Sequence, residues 1–359
     1  MTDPHALDMD AVGIWLRTNV LDADGEVSAE KFAGGQSNPT YAITIDGEIR
    51  FVLRKKPPGV LLPSAHAVER EYRVTNALKD TEVPVARPFA LCEDPAVVGT
   101  PFFIMRYVAG RNFWNALLPD MTAAERAAVY GEMNRVLATL HQVDPVAVDL
   151  ADYGRPGNYF ARQVARWTKQ YRATETRTID AMEELIVWLE ANNPGRTVSR
   201  IVHGDYRNDN IIFARDEAKI LAIIDWELST LGDPLADLAQ HTLAWRLPAE
   251  GYRGLADADL HQLGIPEEAD YVRQYWARGK TAPPPQSEWA YALAFASFRN
   301  ASIRQGVYKR SLDGNASSAA AAIHGIRAGE IAKLGWRIAR GEHDAMLRHA
   351  DCTSTSAAQ

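Results

Sequence analysis

Strand-like segments crowd the first hundred residues of this chain, and helix-like segments fill nearly everything after Ala109-Gly110. Tyr41–Ile45, Phe51–Leu53 and Pro101–Val108 are rich in β-branched and aromatic residues, and Asp46-Gly47 between the first two is a hairpin turn signal. A helix precedes them, with Asp8 as its cap and Met9, Val12, Leu16 and Val20 at helical spacing; a second spans Ala65 to Leu78. Beyond Gly110 the pattern is helical. Thr122-x-x-Glu125 is a capping box opening a helix to Gln142, and Gly157–Leu189 holds two more. Two short apolar runs, Val198–Val202 and Ile220–Ile224, interrupt this before helices return at Leu235, and an Ala-rich helix covers about Ala316–Ile338. At 359 residues the chain exceeds what one core usually holds. The expectation is an α+β, two-lobed molecule: a small β-rich N-lobe at 1–108, a larger mostly helical C-lobe at 109–350, and a disordered Ser/Thr/Ala tail at 351–359. A ligand is expected between the lobes.

Charge and cysteine content remove several classes. The formal net charge is −7, and the longest basic cluster, Arg54-Lys55-Lys56, falls short of the basic stripe of a nucleic-acid binder. Cys92 and Cys352 are the only cysteines, so no disulfide framework and no C-x-x-C metal spacing exists. No run approaches the ~18–20 apolar residues of a membrane span, and no signal-peptide core is visible. Cytoplasm is the expected compartment, with no nucleic-acid or membrane partner; nothing in the sequence fixes an oligomeric state.

The chemistry concentrates in His203-Gly204-Asp205-Tyr206-Arg207-Asn208-Asp209-Asn210, followed by Ile223-Ile224-Asp225-Trp226-Glu227. Transfer of a terminal phosphoryl group asks a protein for a carboxylate to take the acceptor's proton and oxygen ligands for Mg²⁺. Asp205 and Asn210 meet the spacing D-x-x-x-x-N, and Asp225 directly follows an apolar run that would hold it on a strand. Taken singly, a His-Gly-Asp is a common turn and Asp225 an ordinary cap; the ordered set carries the reading.

With Gly232-Asp233-Pro234-Leu235-Ala236-Asp237-Leu238 added, the pattern resembles the aminoglycoside phosphotransferase and choline kinase superfamily, over about residues 25–310. The resemblance implies a protein-kinase-like fold, ATP and Mg²⁺ as cofactors, and a small-molecule hydroxyl substrate. It further implies Asp205 as base, Asn210 and Asp225 as metal ligands, His203 as the brace of the catalytic loop, and Asp237 as a partner of loop backbone.

Further nucleotide contacts are expected upstream. Gly34-Gly35-Gln36-Ser37-Asn38 precedes the first strong strand, where small residues let backbone N–H groups approach phosphate. Strand alternation puts Val52 and Arg54 on one face, away from Phe51 and Leu53, so Arg54 rather than Lys55 is expected to reach the phosphates. Arg stands there where many relatives carry Lys. Glu71 is preferred over Glu69 as its orienting partner, and Phe103–Val108 looks like the hinge on the adenine edge, with Arg106 and Val108 contributing.

The strings Gly34–Tyr41 and Leu53–Ala67 are similar to the kinase-like domain fused to acyl-CoA dehydrogenase modules in some eukaryotic proteins, which implies a hydroxyacyl-CoA acceptor, with Lys55 and Lys56 either near its phosphates or, as is commoner for such a cluster, in a solvated basic loop. Aminoglycosides and other sugars or amino alcohols are alternatives, as are a nucleotide-binding pseudokinase and a metal-dependent hydrolase using His203, Asp205, Asp225 and His241. Trp167, Tyr171, Trp188, Trp245, Trp276 and Trp289 are candidates for an apolar pocket or for the core.

Overall fold

The structure, a computed structural model, describes residues 7–20, 24–32, 38–59, 66–313 and 318–342, the side chains of 318–322 excepted. In chain order the elements begin with α1 (Met9–Asn19), β1 (Val27–Lys31), β2 (Thr40–Ile45), β3 (Glu48–Lys55), α2 (Val68–Leu78), β4 (Pro88–Cys92), α3 (Pro95–Val98) and β5 (Phe102–Arg106). Then follow α4 (Ala123–Gln142), α5 (Tyr159–Thr174), α6 (Asp180–Ala191), β6 (Arg200–Val202), β7 (Ile211–Phe213), β8 (Ile220–Ile223) and β9 (Thr230–Gly232). The chain closes with α7 (Pro234–Thr242), α8 (Ala249–Tyr252), α9 (Leu260–Leu263), α10 (Glu268–Gly279), α11 (Gln286–Leu312) and α12 (Ser318–Ala339).

These form two compact units. The first holds residues 1–113, 146–150 and 207–229, the second 114–145, 151–206 and 230–359. The first unit is built on an antiparallel sheet of order β1-β2-β3-β5-β4. Asp46 and Gly47 join β2 to β3 with φ of 49° and 82°, the doubly left-handed turn whose twist suits a tight hairpin. Val12, Leu16 and Val20, one face of α1, bury against Tyr41, Ile43 and Ile45 of β2 and Phe51 and Leu53 of β3. Each such side chain contributes about 1.5–3 kcal/mol of burial. With Phe51 and Leu53 committed to that core, the alternation of β3 sends Arg54 to the opposite face. Residues 207–229 join this unit through the β7–β8 hairpin, where Ile211 pairs with Ile223, and through bridges from Val85 to Ile223 and from Arg111 to Phe213.

The second unit is helical around α11, which buries Trp289 and every position from Tyr291 to Arg299 and packs on α5, α6, α7 and α12. α4 opens with the expected box: Thr122 Oγ1 accepts from Glu125 N–H, and Glu125 reaches back to Thr122 N–H. The short pair β6–β9 matches Arg200 to Gly232 and delivers the chain to His203. α7 begins with Asp233 as cap and Pro234 in its first turn. Trp167, Tyr171, Trp245 and Trp289 are buried and Trp188 and Trp276 half-buried, so the aromatics of this unit serve its core. Among the described residues no helix is long and apolar enough to cross a membrane. Cys92 is buried; Cys352 and the tail expected at 351–359 lie outside the described residues.

Candidate active site

On the free face of β3, Arg54 bridges two carboxylates. Its Nε donates to Glu71, 3.0 Å from Oε1 and 2.9 Å from Oε2, and its Nη2 donates to Asp225 Oδ1 at 2.6 Å. Glu71 lies on α2, one turn in from the helix start, and is 2% exposed. Burial pushes its carboxyl up to about 7; Arg54 pulls it back, while Asp225 and Glu227 push it further up. Burial also works against the Arg54 charge, but Glu71 and Asp225 outweigh it and hold the guanidinium's pKa above its ordinary value. Asn38, fully enclosed, adds its Nδ2 as a second donor to Glu71 Oε1 at 2.8 Å. Glu69, the less-preferred candidate partner of Arg54, pairs instead with Lys56 Nζ at 2.9 Å. Lys55 turns to the other face of β3 and donates to Val98 O at 2.9 Å. Lys55 therefore points away from the face that carries Arg54.

Asn210 and Asp225 stand at one end of the β7–β8 hairpin. Asn210 immediately precedes β7, and its carbonyl accepts from Ile224 N–H at 2.9 Å, one residue before Asp225. Asp225 adopts a left-handed backbone, φ 65° and ψ 58°, a conformation that Asp tolerates better than most residues and that turns its side chain out of the strand's line. The two side chains offer a carboxylate and an amide oxygen. Such hard donors suit Mg²⁺, which prefers few protein ligands and retains water.

Asp205 belongs to the second unit, at the end of a loop pinned from three directions. Asp237 Oδ2 accepts from His203 N–H at 2.7 Å and its Oδ1 from Gly204 N–H at 2.8 Å. Arg299 of α11 donates to Gly204 O at 2.7 Å. His203 Nδ1 accepts from Asp205 N–H at 3.2 Å, bracing the loop from inside. Gly204 has φ 83°, which a side chain would resist. Asp237 is itself held by His141, whose Nε2 donates to Oδ2 at 3.1 Å while Nδ1 accepts from Tyr275 O–H at 2.6 Å. Burial works to raise the Asp237 carboxyl, but the His141 hydrogen bond and the neighbouring charges leave it below the usual carboxylate value.

Gly34, Gly35, Gln36 and Ser37 lie outside the described residues. At the far end of β5, Arg106 N–H donates to Arg87 O at 2.8 Å and Tyr107 N–H to Arg50 O at 3.0 Å. Among the described residues, the backbone N–H and C=O of the half-buried Val108 make no hydrogen bond, which leaves both for a ligand edge. Sequence reasoning missed His141, Tyr275 and Arg299, each a helix residue that acts on the catalytic loop, and missed that Asn38 reaches Glu71. No spacing announces them.

A hydrolytic metal site using His241 is not built. His241 is buried, its Nδ1–H donates to Tyr206 O at 3.0 Å, and its Nε2 accepts from Tyr271 O–H at 2.9 Å. Among the described residues no group of three or more His, Cys, Asp or Glu side chains could hold a metal ion.

The sequence profile of the phosphotransferase enzyme family matches residues 28–277. The chain belongs to that family. It is thus a phosphotransferase with an alcohol group as acceptor, and its two units follow the two-lobed kinase-like architecture of that family. A crystal structure of a Ralstonia eutropha protein assigned as an aminoglycoside phosphotransferase is 46% identical, with a TM-score of 0.86 over 94% of this chain and 99% of that one. Aminoglycoside phosphotransferase APH(4)-Ia, in a ternary complex with AMP-PNP and hygromycin B, shares the fold at 16% identity and a TM-score of 0.59, covering 91% of this chain and 98% of its own. Acyl-CoA dehydrogenase family member 10 of Mus musculus is 46% identical over 333 residues, 92% of this chain and 31% of the mouse protein. The probable acyl-CoA dehydrogenase IBR3 of Arabidopsis thaliana is 40% identical over 348 residues, 91% of this chain and 42% of its own. The chain therefore spans less than half the length of these curated relatives.

Proposed function

We infer that this phosphotransferase is an ATP-dependent kinase that moves the terminal phosphoryl group of ATP to a hydroxyl of a small molecule, with Mg²⁺ held by Asn210 and Asp225. The observation that carries this reading is the Arg54 fork, which joins Glu71 on α2 to Asp225 at the end of β8. A cation held between an orienting glutamate and a metal-binding aspartate is what a phosphate-binding site requires. On this reading residues 1–108 form the nucleotide lobe, 109–350 carry the catalytic loop and the acceptor site, and 351–359 form the tail.

The roles follow from the chemistry of each group. Arg54 takes the α- and β-phosphates, and Glu71 aims it. Backbone N–H groups of Gly34–Asn38 cover the phosphates, and the hinge from Arg106 to Val108 meets the adenine edge. Asp205 accepts the acceptor hydroxyl's proton as the new O–P bond forms, and His203, Gly204 and Asp237 keep its loop in register. Mg²⁺ at Asn210 and Asp225 would neutralise charge on the phosphate oxygens.

Relatedness to proteins named as acyl-CoA dehydrogenases supports a hydroxylated acyl-CoA as acceptor. An aminoglycoside or other amino alcohol is the second reading, favoured by the name of the Ralstonia protein. Both are tested by following ADP release from ATP and Mg²⁺ with hydroxyacyl-CoAs, aminoglycosides and simple amino alcohols. Turnover with a hydroxyacyl-CoA alone supports the first reading, turnover with an aminoglycoside the second. ATP binding without turnover on any alcohol would point to a pseudokinase.

A further inference from the structure

Asn38 sits where the phosphate-covering segment meets β2, yet its side chain is turned wholly inward. It is 0% exposed, and both ends of its carboxamide are engaged. Nδ2 donates to Glu71 Oε1 at 2.8 Å, the same oxygen that receives Arg54 Nε at 3.0 Å. Because that oxygen is already an acceptor, the amide's orientation is fixed, and Oδ1 accepts a hydrogen bond from His66 Nδ1–H at 3.0 Å. His66 has φ 60° and lies two residues before the start of α2. The backbone around Asn38 is also fixed: Asn38 O accepts from Thr40 Oγ1 at 3.0 Å, Pro39 O accepts from Lys55 N–H at 3.0 Å, and Thr40 stands opposite Arg54 in the β2–β3 register.

We propose that Asn38 is a positioning residue for the phosphate-binding cation: its carboxamide, steadied by His66, holds the Glu71 carboxylate in the one orientation that aims the Arg54 fork. Rotation about a carboxylate's last torsion is nearly free, so Arg54 by itself does not fix the plane of the Glu71 carboxylate. A second donor on Oε1 does. The arrangement suits arginine especially, because a planar fork reaches its second partner only if its first is held at a set angle, whereas a lysine ammonium tolerates rotation. The inference deepens the nucleotide-binding reading above and rests on it.

The test compares wild type with Asn38→Leu, Asn38→Asp and His66→Ala. ADP affinity is measured by calorimetry with and without Mg²⁺, and the Arg54 Nε–H resonance is read by nitrogen-15 NMR of arginine-labelled protein. Arg54→Ala assigns the resonance. Asn38→Leu and Asn38→Asp are expected to weaken ADP about tenfold, the effect of losing one hydrogen bond to a charged group, and to shift the Arg54 Nε–H signal. His66→Ala should do the same to a smaller degree. A purely structural role would lower thermal stability without moving the Arg54 signal in the remaining folded protein. Wild-type ADP affinity with an unmoved Arg54 resonance, in any folded variant at position 38, overturns the proposal; should neither fold, the same result in His66→Ala overturns it. Wild-type protein that binds no ADP overturns the nucleotide reading itself, so the two failures are told apart.

Discussion

Arg54 and Asp225 are 171 residues apart in sequence, and their Nη2 and Oδ1 atoms are 2.6 Å apart in the structure. This pair ties the end of β3 to the second residue after β8, and with Glu71 it places one guanidinium between two carboxylates. Arg54→Lys offers one nitrogen where the fork supplied two, which weakens the link to Glu71, to Asp225 or to both. ADP affinity should fall about tenfold in Arg54→Lys and further in Arg54→Ala, measured by calorimetry. Unchanged affinity in Arg54→Ala would remove Arg54 from the phosphate site.

Asp237 holds the His203–Asp205 loop, and its two oxygens already accept three hydrogens, from His203 N–H, Gly204 N–H and His141 Nε2–H. Asn in its place turns an N–H₂ toward at least one of these donors and removes the charge that faces His141. Asp237→Asn should cost about 3 kcal/mol in urea unfolding. A loss below ~1 kcal/mol would mean the loop does not depend on it.

His241 sets a pH dependence whose sign is fixed. Burial pushes its imidazole from the ordinary 6.5 down to about 4, so between these values the unfolded chain binds a proton that the folded chain refuses. Its contribution is present above pH 6.5 and is lost as pH falls toward 4, about 3 kcal/mol in all. Glu71, raised from 4.5 to about 7, runs the other way: its contribution declines as pH rises across that interval. The difference between wild type and His241→Phe isolates the histidine. That difference should shrink on acidification from pH 6.5 to 4; a constant difference would contradict a neutral, buried His241.

Much of the fold was legible because local signals and tertiary packing agree. Asp8 caps α1 by accepting from Ala11 N–H, and Val12, Leu16 and Val20 all reach the core their spacing indicates. β1 escaped notice because Val27–Lys31 is a largely exposed edge strand that carries Ser, Glu and Lys. β4 escaped because it begins with Pro88, which a sequence reading takes for a loop; at the sheet edge the missing N–H costs little. In the site, Asp205, Asn210 and Asp225 stand out by fixed spacing within one stretch of chain. The links from Asn38 to Glu71, His141 to Asp237 and Arg299 to Gly204 span 33, 96 and 95 residues. Each joins residues whose own surroundings in sequence look like an ordinary turn or helix face, so only the folded chain discloses them.

On the kinase reading Asp205 takes the proton of the acceptor hydroxyl while other residues hold the nucleotide. Measuring phosphoryl transfer and ADP affinity side by side in Asp205→Asn tests this most directly. Transfer should slow by about 10²–10⁴-fold with ADP affinity within about twofold of wild type. Transfer at the wild-type rate, or equal losses in transfer and ADP affinity, would contradict it.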